Sequence, residues 1–370
     1  MGVDGYYVRT LDWAIETGVA NHYKEIYPEH TMRLLKPKSV EPLHQAFTYN
    51  DLGNFPPSFA ALIPNGRLWG QHAAVITPNN KLLNDVSLEW QSVVDPQRHP
   101  VFQQGQLPPA TYTGGTVAAL AFVGAQSYYH WFVDVLPRIH LLRESGVYVD
   151  KYVINTHLPF QYETLAKMGI TRDKIIETTG NHNFHLQAEK LIVTSIPNHL
   201  RYPKWVVNFI RGEFFENHPI QTSSEFERIY VSRDDANYRK VVNEDEVMNV
   251  LAGYGFRKVV LSHLSLDEKR NIFASAKYVV SALGSGLIHL LFCSPKTKVI
   301  EFLPPNFVDI CFWRMSNFLK LDYYYLMAEG AGFHGVPNFN EMMEMGALGV
   351  VENLAVDIHK FTRLLERAGL

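Results

Sequence analysis

The chain has little cysteine: two residues in 370, Cys293 and Cys311, both in apolar runs ("LLFCSP" and "DICFWR"). Two such residues build neither a disulfide framework nor a zinc site, and their surroundings suit small buried hydrophobes. An excess of one charge sign is missing too. A formal net charge of −3 leaves no electrostatic footprint for nucleic acid. No stretch approaches the roughly 20 apolar residues of a spanning helix. The start, "MGVDGYYVRTLDW", lacks a basic region followed by an apolar run and does not read as a secretory signal. It also fails the lipidation pattern, because Tyr6 stands where Ser or Thr is needed. These absences read as a cytoplasmic protein, with contact at the inner face of the cell membrane left open. Internal repeats and low-complexity segments are absent. "GSGLIH" has His289 where the third glycine of G-x-G-x-x-G would fall, and no Walker G-K-[ST] occurs, which disfavours dinucleotide and P-loop readings.

What is present suits a globular enzyme of two ordinary domains. Apolar residues make up 46% and charged residues 19%, enough for a sizeable core. The aromatic share, 13%, serves core filling or stacking platforms for sugars. Residues 59–125 carry short apolar runs bounded by Gly, Pro and Asn, as strands do. An α/β rhythm follows. The polar segment "NHPIQTSSEF" (217–226) reads as a linker, dividing an N-terminal acceptor-side domain (1–216) from a C-terminal domain (217–370). Beyond it, "ERIYVS", "FRKVVL", "KYVVSAL" and "KTKVIEFL" alternate with helical segments. Asn243 with Glu246, and Ser265 with Glu268, have the spacing of capping boxes. Strands and helices alternating in this way predict an α/β fold with a parallel sheet and right-handed crossovers.

Ligands of open parallel sheets bind beyond the carboxyl ends of the strands. After "ERIYVS" come Arg233 and, in "DDANYRK", Arg239. After "FRKVVL" comes His263. After "KYVVSA" come Gly284, Ser285 and Gly286, leading into a helix, and the last of these strands carries Glu301. A Gly-Ser-Gly turn at a helix start suits a phosphate. Two arginines can clamp a diphosphate, and Glu301 can accept from ribose hydroxyls. Each feature alone is weak, but their recurrence at successive strand ends points to an anion or nucleotide cleft. His289, on an apolar helix, reads as a core histidine.

A second constellation lies in "SYYHWFVDVLPRIHLL" (127–142). His130, Asp134 and Arg138 are spaced to share one helix face, amid Trp131, Phe132, Val135 and Leu136. Pro137 predicts a break near Asp134. The stripe is either a buried, satisfied network or a cleft face supplying a His and a carboxylate for proton transfer.

Together "YYHWFVDVLPRIHLL", "IYVSRDDANYRKVVNEDEV" and "ALGSGLIHLLFCSPKTKVIEFLPPN" resemble glycosyltransferase family 61 over roughly residues 110–305. The resemblance implies a GT-B-like architecture: two Rossmann-like domains with parallel sheets facing a cleft, and the donor held mainly by the C-terminal one. It implies inverting transfer from a nucleotide sugar, a UDP-sugar first, to a glycan or lipid-linked glycan, with no obligatory metal or further cofactor and no nucleic-acid partner. A bacterial-type member acting in capsular, exo- or lipopolysaccharide synthesis is expected. Carried over by position, Arg233 and Arg239 match the family's Ser-Arg…Arg pattern, Asn243 and Glu244 its Asn-Glu pair, Gly284 and Gly286 its Gly-rich turn, and Glu301 its closing Glu. His130, Asp134, Pro137 and Arg138 match its His-Trp…Asp…Leu-Pro-Arg element. Leu283 departs from the family's usual His. The expected catalytic base is Asp134, with His130 as the alternative or its orienting partner. Trp131, Arg138 and His263 are expected at the acceptor or along the cleft. Rival readings are a nucleotide-sugar epimerase, a pyruvyl transferase, or a non-catalytic glycan-assembly partner.

Overall fold

Turn length decides how the strands of the first half pair. Arg67–Trp69, Ala74–Ile76 and Lys81–Leu83 are joined by four-residue connections, which only antiparallel neighbours can use. Gly70, Ala73 and Asn80 supply the left-handed backbone these turns need. The computed structural model describes residues 2–197, 202–216, 218–333 and 348–370. Asn217, where the linker reading begins, lies outside the described residues. The chain divides into two compact units, residues 1–30 with 54–209 and residues 31–53 with 210–370.

Unit 1 is built on a mixed sheet. His185–Thr194, Thr111–Ala119, Lys151–Ile154 and Ile175–Glu177 lie side by side and parallel. On the other flank of His185–Thr194 the pairing is antiparallel, with Ser58–Pro64 and with Arg67–Trp69. The parallel-sheet expectation for the N-terminal half therefore needs correction: the short hairpins turn part of this sheet antiparallel. A core of Trp13, Phe59, Ile63, Leu68, Val117, Leu186 and Leu191 packs on it. The crossover between Thr111–Ala119 and Lys151–Ile154 is the helical run Tyr128–Ser145, so His130 enters just beyond the carboxyl end of a central strand.

Unit 2 carries a five-stranded, wholly parallel sheet. Its order is Arg257–Val259, Arg228–Val231, Tyr278–Ala282, Lys298–Leu303, Asp322–Met327. In chain order this is 2-1-3-4-5, a doubly wound arrangement whose direction reverses between Arg228–Val231 and Tyr278–Ala282. Glu244–Ala252 and Ile358–Arg367 cover one face through Val247, Leu251, Phe361 and Leu364 on Tyr230, Val280, Ile300 and Phe302. Ser265 caps Leu266–Ser275 in the expected box: its hydroxyl accepts from Glu268 N, while the Glu268 carboxylate accepts from Ser265 N at 2.8 Å. The box expected at Asn243 does not form. Its side chain turns away from the helix to bond Val356 on both its amide and its carbonyl, at 2.9 Å each. Segment 31–53 covers the outer edge of the last strand, with Lys38 exchanging backbone bonds with Tyr323 and Tyr325 and so shielding an edge from pairing.

Candidate functional site

In unit 1 the break at Pro137 takes the form of a π-helical segment, Trp131–Val135, between two α-helical pieces. Proline has no N–H for the preceding turn and crowds its carbonyl, and a widened turn relieves both. His130 Nδ1 and Asp134 Oδ2 are 2.8 Å apart. The Asp134 side chain has no exposure, whereas that of His130 is 19% exposed. A buried carboxylate bonded to Nδ1 fixes the imidazole tautomer. Of the two candidate bases, His130 is therefore the one that reaches the surface of the unit. The ring of His130 is collared by Phe122 and by the half-exposed Trp90, with centroids at 6.0 and 5.6 Å. Gly124 is required there, because a Cβ would press on both Phe122 and the His130 ring. Asn155 pins this loop by bonding both polar groups of the Phe122 backbone.

Two residues of the same stripe go elsewhere. Arg138 is sealed inside unit 1, where Nε donates to Thr194 Oγ1, Nη1 to Leu120 O and Nη2 to Ala119 O. It ties together the carboxyl ends of two parallel strands. Lost hydration pulls its pKa down to about 10, against the attraction of Asp134. Trp131 is fully buried, its indole N–H donating to Thr164 at 2.8 Å. Neither lines an acceptor site. Both are core residues because every polar group they carry is satisfied inside the unit.

In unit 2 the strand-end residues converge as the sheet order requires. Arg233 Nε and Nη2 donate to the carbonyls of Arg239 and Tyr238, at 3.1 and 2.8 Å. Arg239, in the left-handed region at φ 55°, donates from Nε to Leu283 O and from Nη1 to Val350 O, at 3.0 and 2.5 Å. The Tyr238 ring lies under both guanidiniums. Burial first, and then the neighbouring Arg239, bring the Arg233 pKa down to about 10. Burial likewise lowers Arg239. Among the described residues neither arginine has a carboxylate partner within ion-pair distance, and Nη1 of Arg233 and Nη2 of Arg239 make no hydrogen bond. Gly284 has extended backbone, so its absent side chain serves another end: a Cβ would fall inside the Arg233 guanidinium. At Gly286 a Cβ would meet Leu261 at 2.9 Å. The eight-residue 3₁₀-helix Ser285–Phe292 starts at this turn. His263 is exposed on the loop after Arg257–Val259.

Residues 128–300 match the model of the family Glycosyltransferase 61. This match supports a glycosyltransferase. The chain is also 24% identical over 162 residues to Beta-1,2-xylosyltransferase RCN11 of Oryza sativa subsp. japonica, an alignment covering 43% of this chain and 28% of that protein. The chain thus spans under a third of that relative's length. The matched stretch includes the His130–Asp134 pair and the Arg233–Arg239 pair, and ends one residue short of Glu301.

Three residues expected on the donor side, within or beside the matched stretch, have partners inside unit 2. Glu301 is fully buried in mid-strand, where Oε2 accepts from Tyr323 Oη at 2.6 Å and Oε1 has no hydrogen-bond partner among the described residues. Desolvation, ahead of the lowering by Tyr323, raises its pKa to about 8. Glu244 accepts from Ser232 at 2.8 Å and from Lys258, which fixes the loop carrying Arg233. Asn243 latches the segment at Val356, as described above. Glu244 and Asn243 are positioning residues, since their hydrogen bonds are spent within the unit. Trp90, Phe122, Gly124 and Tyr238 complete the two sites without having been singled out by sequence. Only the aromatic content and the "NYRK" spacing hinted at them. His289 lies between Phe273 and Phe292 in the core, held neutral by burial.

Proposed function

We propose that this protein is an inverting glycosyltransferase that moves a sugar from a nucleotide sugar, a UDP-sugar first, to a hydroxyl of a glycan or lipid-linked glycan. The observation that carries this is the pair of guanidiniums, the partly buried Arg233 and the buried Arg239, with no carboxylate within ion-pair distance among the described residues, at the point where the strand order of unit 2 reverses. Burying cations costs free energy unless an anion completes them. A diphosphate does so, using Arg233 Nη1, Arg239 Nη2 and the positive end of the helix that starts at this turn. We read unit 2 as the donor side and unit 1 as the acceptor side of a GT-B-type enzyme working in polysaccharide synthesis.

In this reading the acceptor oxygen forms a bond to the anomeric carbon as the bond to the diphosphate oxygen breaks. The acceptor proton passes to His130 Nε2. Asp134 holds Nδ1–H and stabilises the imidazolium. The diphosphate leaves with both electrons of the broken bond, its charge met by the two arginines and the helix start. Trp90 and Phe122 offer the acceptor sugar apolar ring faces beside the base.

The test is turnover with a panel of UDP-sugars and oligosaccharide acceptors, on wild type, His130→Gln and Asp134→Asn. Free UDP and an extended glycan are expected, with kcat lowered about 10²–10⁴-fold by His130→Gln and UDP affinity unchanged. An isomerised nucleotide sugar with no transfer would instead establish the epimerase reading. UDP binding with neither product would establish the non-catalytic one.

A further inference from the structure

The opposite edge of the unit 2 sheet holds a feature that the transferase reading does not use. Where Lys298–Leu303 and Asp322–Met327 begin, a cavity of about 590 Å³ is lined by Lys36, Lys38, Lys296, Lys298 and Lys320, with Asp322 its one carboxylate. That size falls in the range of small-molecule sites. Composition does not account for such local charge, because acidic residues outnumber basic ones in the chain, 37 to 34. Asp322 is already engaged by Lys38 at 2.5 Å. Lys298 donates to Ala368 O and Tyr278 Oη. Among the described residues Lys36, Lys296 and Lys320 have no ion-pair or hydrogen-bond partner for their ammonium groups.

The backbone gives a second, independent sign. Lys296 and Lys320 both sit in the left-handed region, at φ 71° and 57°, and are joined by Lys296 N donating to Lys320 O at 2.8 Å. Glycine or asparagine takes that conformation at less cost. The chain instead places a cation at both positions, on one rim, against the repulsion of the other lysines. Such local cost is retained where a site uses it.

We propose that this cavity binds the phosphate or diphosphate group of a ligand, at a site separate from Arg233 and Arg239. Lysines present compact point charges on rotatable stems, which suit a multiply charged oxyanion approached from several sides. A lipid headgroup and a soluble phosphate ester both offer that group. The site does not depend on the transferase reading.

The test is calorimetric titration of inorganic pyrophosphate into wild type, Arg233→Ala, and a Lys296→Gly/Lys320→Gly double variant. Binding at the cavity persists in Arg233→Ala and weakens at least about tenfold in the lysine variant. Without ligand the lysine variant melts no lower than wild type, because glycine relieves the left-handed backbone, so the loss is not one of folding. Equal pyrophosphate affinity in wild type and the lysine variant overturns the site. So does the disappearance of all pyrophosphate binding in Arg233→Ala. Flotation with phosphatidylglycerol and phosphatidylcholine vesicles then assigns the source. Capture by the anionic vesicles alone, lost in the lysine variant, identifies a lipid headgroup. Pyrophosphate binding without capture identifies a soluble phosphate ester.

Discussion

Arg138 in unit 1 is fully buried and Arg233 in unit 2 partly so; both are bonded to backbone carbonyls, and both are brought down to about 10 by lost hydration. What is left over differs. Arg138 spends all three nitrogens on Thr194, Leu120 and Ala119. Arg233 spends two and keeps Nη1 against a glycine that leaves it room. Lost hydration alone does not separate structure from site. Completeness of the hydrogen-bond set does: a closed set staples a fold, and a set one donor short at a strand end awaits a ligand.

Truncation should pull the two apart most strongly. Arg138→Ala strands two carbonyls and a hydroxyl in the core and opens a void, so denaturant unfolding should show a loss of about 3–5 kcal/mol. Arg233→Ala should cost much less stability. The next effect concerns Glu301, whose carboxyl is raised to about 8 in the fold, above its ordinary value of 4.5. The native state therefore holds a proton that the unfolded chain releases. Stability from this group is full below pH 4.5, declines as pH rises to about 8, and is flat above. The span is up to about 5 kcal/mol. Glu301→Gln should remove that decline from the pH profile of stability while leaving nucleotide affinity unchanged. Gly284→Ala should displace Arg233 and weaken nucleotide binding about tenfold, and adding it to Arg233→Ala should weaken binding little further, because both act on one contact. Smallest is Asn243→Ala, which loses the two bonds to Val356 and should cost about 1–2 kcal/mol in thermal or denaturant unfolding.

Unit 2 was the more legible half. Its strands, the Ser265 cap and the residues beyond the strand ends follow from local patterns of period and turn chemistry. The strand Asp322–Met327 and the edge cover from segment 31–53 escaped, because that cover is set by pairing across nearly 290 positions, as in Lys38 with Tyr324. In unit 1 the mixed sheet escaped for the same reason. His130 and Asp134 were legible as a helical pair, but not which of them meets solvent. That depends on the π segment and on the collar from Trp90 and Phe122, distant in sequence. Asn243, Glu244 and Glu301 show the converse. Residue type and position marked them as ligands, while Val356 and Lys258 take up polar groups of Asn243 and Glu244, and Tyr323 takes one oxygen of the buried Glu301. A sequence motif records which residues are needed together, not which of them touch the substrate.

The central claim is that Arg233 and Arg239 form an anion site for a nucleoside diphosphate, and calorimetric titration of UDP, GDP and CDP into wild type and Arg233→Ala tests it most directly. The account predicts that one of these nucleotides binds wild type, and that Arg233→Ala binds it at least about tenfold more weakly while keeping most of its stability. Equal affinity in the two proteins, or no binding by any of the three nucleotides at millimolar concentration, would contradict it.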